Sequence, residues 1–468
     1  MQASRRGAAG PPPSFADAWT PVGARGHGRD WQDLSEAERA AERARCRHRA
    51  ATTGVRLNAV VTMMPPPPLA PPPGAGLLDG MPYVAKDMFD RPAWRATWGG
   101  VRPDGPAPAR TAEVLERLDA AGAEQIAVAA MTELAYEPSG FNAGRGWTRN
   151  PWHPDVVCGG SSSGPAALVA AGCAVLGVGS DTAGSVRIPA SCCGLTGLKP
   201  GRGTVPDAGA MALAPSLDTI GLFARSAREL ELAWPAISAA DTQAPGAAPR
   251  RGVVLAGCVA AADAPVQAAM REAVAALDAC GVALAPADPR ALIEDADRHA
   301  LLILAAESAR QHPPERFPPG LPGETLRKRL AKGLAIPDAA LAEARAARTD
   351  TVAAFLAMLG EAAVAVLPTL PCEAPLMAAC DPRSASFAPR VLYRLSAYTR
   401  FVNFLGLPAL SLPCGFDARG VPIGLQLIGR PGAEADLLAL AVRMQRLTDW
   451  HGRVPPEAVT DPPEGEPP

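Results

Sequence analysis

The densest chemistry in the chain lies between residues 158 and 202, in two glycine–serine segments. They are Gly159-Gly160-Ser161-Ser162-Ser163-Gly164 and Gly179-Ser180-Asp181-Thr182-Ala183-Gly184-Ser185. The first lets the backbone turn sharply and offers hydroxyls ahead of an apolar run. The second surrounds a further serine with small residues, which leave backbone N–H groups free to point into a cavity, as oxyanion stabilisation requires. A serine hydroxyl is a weak nucleophile and needs a base, so acyl transfer is the chemistry these residue types serve once a base is near. A phosphate-cradling loop is a weaker match, because neither Gly-Lys-Ser/Thr nor GxGxxG is present. Residues 160–164 also fit GxSxG, which would make Ser162 a nucleophile on a strand–elbow–helix turn. That turn needs a strong strand directly before it, and here only Val156 and Val157 are apolar after Asn150-Pro151-Trp152-His153-Pro154-Asp155. Its histidine would be His299, His312 or His451, all in polar helical or tail-like contexts.

Elements able to hold such segments can be read on both sides. Ser35 caps a helix to about residue 51, with Glu38 three residues on completing a capping box. Residues 57–63 read as a short strand, and Pro65–Pro68 with Pro71–Pro73 as a stiff connector. From 77 to 230, short strands alternate with glycine turns and alanine-rich helices: strands at 81–85, 126–130 and 175–179, helices at 112–121 and 165–172. That rhythm predicts an α/β fold with a largely covered sheet. Residues 240–250 read as a loop, 252–256 as a strand, 265–361 as mostly helical and 363–367 as a strand. Residues 407–413 and 422–428 flank a turn at 417–420 and predict a hairpin. A closing helix over 434–447 places Leu437, Leu440, Ala441, Met444 and Leu447 on one face. Residues 1–30 and 456–468 read as disordered or loose.

Gly-Gly-Ser-Ser-Ser-Gly at 159–164, Ser-Asp-Thr-Ala-Gly-Ser-Val-Arg-Ile-Pro-Ala at 180–190 and Gly-Leu-Lys-Pro-Gly-Arg-Gly at 197–203 together resemble the amidase signature family. The spacing is specific: Ser185 lies 24 residues after Ser161, and a Lys86-Asp87 dipeptide lies 75 before it. The resemblance extends to Leu57-Asn58-Ala59, to residues 132–135, 148–152 and 216–219, and to 403–416 and 422–431. It covers most of 55–230 and 360–455, but not 1–50 or 235–360. It implies a single large domain over 31–455 with a central mixed, twisted sheet covered by helices on both faces. The catalytic core would be 77–230 and 360–455, and the variable 240–360 would wall the substrate pocket, with an apolar mouth. By the same resemblance Ser185 is the nucleophile, Ser161 the bridging serine that follows a cis peptide bond, and Lys86 the base. The N–H groups of Thr182, Ala183, Gly184 and Ser185 would hold the oxyanion. Lys86 serves as a base only when neutral, which burial beside Met81-Pro82-Tyr83-Val84-Ala85 favours. Without the serines, Lys86-Asp87 would read as a solvated pair. Asp181 and Arg187 are expected to form a bracing ion pair, and Lys199 to be structural.

The implied activity is hydrolysis of an amide to a carboxylic acid and ammonia or an amine through an acyl-enzyme, with no cofactor or metal. A glutaminase of the glutamyl-tRNA amidotransferase A type is an alternative. There Gln typically follows the Ser-x-Arg, and Ile188 stands at that position here. Carbamate or urea-type hydrolysis is another alternative. Ala183 and Ser163 stand where the family often has glycine. Residues 89–99 depart from the common form and are expected to reshape the substrate entrance. Lys and Arg (45) nearly balance Asp and Glu (47), for a net charge of −2, so no basic field invites nucleic acid or an anionic membrane. The ten cysteines form no CxxC pair and are read as buried free thiols. Residues 11–13 are prolines where a signal peptide needs an apolar core, and the longest apolar stretch, 166–179, is too short to span a bilayer. A soluble cytoplasmic enzyme for a small-molecule amide follows, acting without nucleic acid or membrane, with a homodimer left open.

Overall fold

The computed structural model describes residues 30–66, 76–239 and 246–456. The expected disordered N-terminal segment, the connector from Pro67 onward, the start of the 240–250 loop and the tail from residue 457 lie outside these. Eleven strands form one sheet. In chain order they are β1 Val60–Met63, β2 Pro82–Lys86, β3 Glu124–Ala129, β4 Leu176–Asp181, β5 Thr196–Lys199, β6 Thr219–Ala224, β7 Arg251–Leu255, β8 Ala283–Ala287, β9 Val364–Pro368, β10 Ala409–Phe416 and β11 Pro422–Gly429. Their spatial order is β1-β3-β2-β4-β6-β5-β10-β11-β9-β7-β8. The triplets β3-β2-β4 and β9-β7-β8 are parallel. The strands between them pair antiparallel, as does β1 at the edge. The sheet is therefore mixed, as expected, and belongs to a single domain.

Helices cover both faces, and the strand period shows why. Tyr83 and Ala85 of β2 join the larger apolar cluster, while Val84 between them joins the other, because alternate strand residues point to opposite faces. The helix Ser163–Ala170 packs on the Val84 face through Ala166, Leu168 and Val169. The helices Glu113–Ala120, Ala227–Ile237 and Ala264–Ala279 pack on the other. Strands β2, β4, β6, β9 and β11 are buried along their whole lengths, as strands covered on both sides must be. Parallel neighbours require crossovers, and helix Glu113–Ala120 between β2 and β3 supplies one.

The Ser35 capping box is present: Ser35 Oγ accepts from the Glu38 N–H, and Glu38 accepts from the Ser35 N–H at 2.8 Å. The 407–428 hairpin is present too, closed by Asp417 Oδ1, which accepts from the N–H groups of Arg419 and Val421 at 2.8 and 2.9 Å. One expectation needs correction. The closing helix spans Glu434–Gln445, so Leu447 falls beyond it and is 57% exposed while its four expected partners are buried. The segment 265–361 is mostly helical, as expected, and holds one short strand, β8, which pairs in parallel with β7.

Candidate active site

Lys86 is the last residue of β2. Strand alternation puts it on the Val84 face, where the loop entering helix Ser163–Ala170 carries Ser161. Its Nζ lies 2.8 Å from Ser161 Oγ and 2.9 Å from Ser180 Oγ near the end of the parallel neighbour β4. All three are buried. Burial pushes the Lys86 ammonium down to about 7, against the opposing pull of Asp181 and Asp218, so a large share of neutral amine exists near pH 7. The Ser161 loop is pinned from outside: the Gly160 N–H donates to Pro138 O at 2.7 Å and the Thr132 N–H to Ser161 O at 3.3 Å. The Gly160–Ser161 peptide bond is cis, as the resemblance implied.

Ser185 is 8% exposed at the start of helix Arg187–Cys193. Its carbonyl accepts from the Ser162 N–H at 3.3 Å, which ties the two glycine–serine segments together. Among the described residues no hydrogen bond joins the Ser161 and Ser185 hydroxyls. The segment between β4 and Ser185 is organised by Asp181. Its carboxylate accepts from the N–H groups of Gly184 (2.9 Å), Val186 (3.1 Å) and Arg187 (3.3 Å), from Arg187 Nε (3.0 Å) and Nη2 (2.8 Å), and from Asn403 Nδ2 (2.9 Å). Burial alone would push this carboxyl up; the Arg187 guanidinium, with Lys199 and Asn403, holds it well below the usual carboxylate range. The expected Asp181–Arg187 ion pair is thus present, with both side chains fully buried. Lys199 is also fully buried, its Nζ donating to Pro200 O at 2.7 Å.

Of the four N–H groups expected to face an oxyanion, that of Gly184 donates to Asp181 Oδ1. The peptide before it is fixed from the other side, where Thr399 Oγ1 donates to Ala183 O at 2.7 Å. Gly184 has φ +122°, and a Cβ there would collide with the Thr399 side chain, so glycine is required for conformation and not for a donor. The Asp181 carbonyl is held by Asn403 Nδ2 at 2.8 Å and Thr219 Oγ1 at 3.0 Å, which directs the following Thr182 N–H the opposite way. The N–H groups of Thr182, Ala183 and Ser185 have no acceptor among the described residues.

These residues sit at one end of a cleft of about 320 Å³. Thr182, Ala183, Ser185 and Ile188 line it on the sheet side, and Leu301, Leu304, Arg329 and Ile336 on the helical side. The lining of the cleft from residues 301–336 is not simply apolar, since Arg329 and Lys332 contribute, as does Arg400. Residues 89–99 do not line it. Their position is explained by Asp87, which accepts from Trp94 Nε1 and the Thr97 N–H and folds the segment back on the core. Ser162, the elbow candidate, is fully buried, donates to Ser180 O at 3.2 Å and does not line the cleft. No histidine among the described residues lines it either. All ten cysteines are buried and unpaired. Among the described residues no cluster of three or more His, Cys, Asp or Glu side chains could hold a metal ion, and no helix is long and apolar enough to cross a membrane.

Sequence reasoning passed over several residues that the fold brings here. Ser180 was visible only as one small residue of its segment, and its partnership with Lys86 depends on the register of β4 against β2. Thr399, Asn403 and Gln426 lie more than 200 residues downstream. Asn403 Oδ1 and Gln426 Oε1 each accept from Arg187, both at 2.6 Å. Asp218 accepts from Thr182 Oγ1 at 2.6 Å; burial pushes its carboxyl up to about 6, against the hydrogen bonds from Thr182, Leu213 and Ala214.

Comparison with known proteins gives the family and the fold. A family model described as Amidase matches residues 47–438. The A-type polypeptide of glutamyl-tRNA(Gln) amidotransferase from Roseiflexus castenholzii is 34% identical over 426 residues, covering 81% of this chain and 85% of the relative. The structure of its counterpart from Thermotoga maritima superposes with a TM-score of 0.78 at 25% identity, covering 92% of this chain and 99% of the other. A 6-aminohexanoate cyclic dimer hydrolase complexed with substrate superposes with a TM-score of 0.75, also at 25% identity, covering 91% of this chain and 96% of the other.

Proposed function

The chain belongs to the amidase family, and on that premise we propose that it hydrolyses a carbon–nitrogen amide bond of a small molecule through an acyl-enzyme on Ser185. The observation that carries this reading is the buried Lys86 amine, hydrogen-bonded to Ser161 behind a cleft that Ser185 lines. Neutral Lys86 takes the Ser161 proton while Ser161 takes that of Ser185, whose Oγ attacks the substrate carbonyl. The Ser161–Ser185 leg closes as the substrate docks, since catalytic hydrogen bonds commonly tighten only in the complex. The N–H groups of Thr182, Ala183 and Ser185 receive the oxyanion. When the tetrahedral intermediate collapses, the proton returns from Lys86 through Ser161 to the leaving nitrogen, and ammonia or an amine departs. Water then attacks the ester through the same relay and releases the carboxylic acid.

A glutaminase supplying an amidotransferase is the second reading, favoured by the amidotransferase relatives. Ile188 speaks against it, because it gives the cleft an apolar wall beside Ser185 at the position where the resemblance has glutamine. A panel of anilide, aliphatic amide, ester and carbamate substrates, with free glutamine, tests the two. Hydrolysis of simple amides by the isolated chain, with no turnover of glutamine, supports the amidase. Glutamine turnover alone would overturn it.

A further inference from the structure

We propose that Glu137 is the positioning residue of the Ser161 relay: its carboxylate shapes the loop whose carbonyls hold Gly159 and Gly160, and so aims the hydroxyl that protonates the leaving nitrogen; this rests on the hydrolase reading above. Glu137 Oε2 accepts from the N–H groups of Ser139 (2.9 Å), Gly140 (3.0 Å) and Phe141 (3.1 Å), and Oε1 accepts from Ser139 Oγ at 2.6 Å. Three successive N–H groups converging on one oxygen bend the chain into a tight turn, with Gly140 at φ +97°. The turn leaves the carbonyls of Pro138 and Ser139 facing the first glycine–serine segment, where they accept from the Gly160 N–H at 2.7 Å and the Gly159 N–H at 3.1 Å. The approach is close: a Cβ on Gly160 would lie 2.8 Å from Glu137 O, and one on Gly140 would lie 3.0 Å from Gly159 O.

The start of the same loop returns to Ser161 through Thr132. Thr132 Oγ1 accepts from the Glu137 N–H at 3.3 Å and donates to Glu137 O at 3.2 Å, while the Thr132 N–H donates to Ser161 O at 3.3 Å. Between them Leu134 and Ala135 hold left-handed backbone, with φ 51° and 59°, which non-glycine residues keep only where their surroundings impose it. Glu137 thus closes a ring of backbone contacts around Gly159, Gly160 and Ser161. Its neighbours Tyr136 and Pro138 line the cleft and Glu137 does not, so it acts through Ser161 and not on the substrate. Among the described residues no cation pairs with it, whereas Asp181 has Arg187. Burial pushes the Glu137 carboxyl up, against the hydrogen bonds from Ser139, Phe141 and Gly140. The loop needs an acceptor in this place and not a charge. A glutamine therefore serves: its Oε1 takes the three N–H groups, and its Nε2 donates to Ser139 Oγ, whose hydroxyl turns to accept.

Two substrates separate the two jobs of the relay. Ser161 draws the proton from Ser185 for any acyl substrate, but only an amine leaving group needs that proton returned; 4-nitrophenolate leaves without it. The 4-nitroanilide and the 4-nitrophenyl ester of hexanoic acid share one acyl group, so the ratio of their kcat/KM values, anilide over ester, reads the aim of Ser161. In Glu137→Ala this ratio is expected to fall by about tenfold, a part of the roughly hundredfold or more that a positioned acid contributes. The loss on the anilide falls in kcat, with KM within about twofold of the parent. Glu137→Gln keeps the ratio within about twofold, because its hydrogen bonds are retained. Glu137→Asp, whose carboxylate is one carbon short of the three N–H groups, lowers the ratio and replaces the alanine variant should that one not fold. A loss of folded protein, read from the urea midpoint, lowers both substrates equally and leaves the ratio unmoved. The parent ratio in folded Glu137→Ala, or in Glu137→Asp where alanine does not fold, overturns the role of Glu137 alone, as does a Glu137→Gln ratio as low as that of Glu137→Ala. A parent chain that neither takes a fluorophosphonate label on Ser185 nor turns over either substrate overturns the hydrolase reading and this role with it.

Discussion

Asp181→Asn isolates the group that shapes the catalytic loop without touching substrate. The Asp181 carboxylate accepts six hydrogen bonds, from three backbone N–H groups, two atoms of Arg187 and Asn403. Asparagine keeps the shape, loses the charge and turns an NH2 toward donors. Arg187, fully buried, then keeps its charge with only the neutral oxygens of Asn403 and Gln426 beside it. Removing one partner of a buried pair costs about 3–5 kcal/mol, a large share of a total stability of about 5–15 kcal/mol. The denaturation midpoint in urea is expected to drop accordingly. The surviving folded fraction is expected to lose fluorophosphonate reactivity by about a hundredfold, because the asparagine NH2 must face either the Gly184 N–H or the Val186 and Arg187 N–H groups in place of an acceptor that sets the loop. Adding Arg187→Gln to make the pair neutral recovers part of the stability and none of the reactivity. A single variant within about 1 kcal/mol of the parent, labelling at the parent rate, would refute the claim that Asp181 braces this loop.

The pH dependence of kcat/KM is expected to show a limb rising through about pH 7, because neutral Lys86 is the competent form; a profile flat from pH 5 to 9 contradicts Lys86 as the base. Lys86→Met abolishes activity and raises stability, since it removes a buried amine whose folded pKa lies below the value of about 10.4 in the unfolded chain. The unfolded chain holds the extra proton between those values, so the gain is full below about pH 7 and fades toward pH 10; the urea midpoint at both ends checks it. Ser180→Ala removes one of the two hydroxyls on Lys86 Nζ that stabilise the ammonium, so the limb moves to lower pH and kcat falls by about tenfold. Thr399→Val frees the Ala183 carbonyl and is expected to lower kcat by about five- to tenfold with little change in KM; a change in KM alone would mean that Thr399 touches substrate instead.

The part of the site that was legible in the sequence is the part whose residues are punctuated by glycine and fixed in spacing. Lys86, Ser161 and Ser185 could be picked out because their segments differ in composition from everything around them. The N–H groups proposed to receive the oxyanion were only partly legible. Composition shows that residues 182–185 are small, but which N–H turns inward is decided by Asp181, Thr399, Asn403 and Thr219, brought together across the sheet. Ser180 illustrates the same limit, since its role is set by strand register. Among the strands, fully apolar runs such as Val364–Leu367 were readable. β5 and β8 were not, because Thr-Gly-Leu-Lys and Ala-Leu-Ala-Pro-Ala carry no period of two, and only their neighbours in the sheet make them strands.

The central claim is that Ser185 carries the acyl group, served by Lys86 through Ser161. Trapping the chain with a fluorophosphonate and mapping the modified peptide by mass spectrometry tests it most directly, beside a folded Ser185→Ala control. The modification is expected on Ser185 alone, absent from Ser185→Ala, and slowed by at least about a thousandfold in Lys86→Ala. Modification of Ser162, or full hydrolytic activity in folded Ser185→Ala, would contradict it.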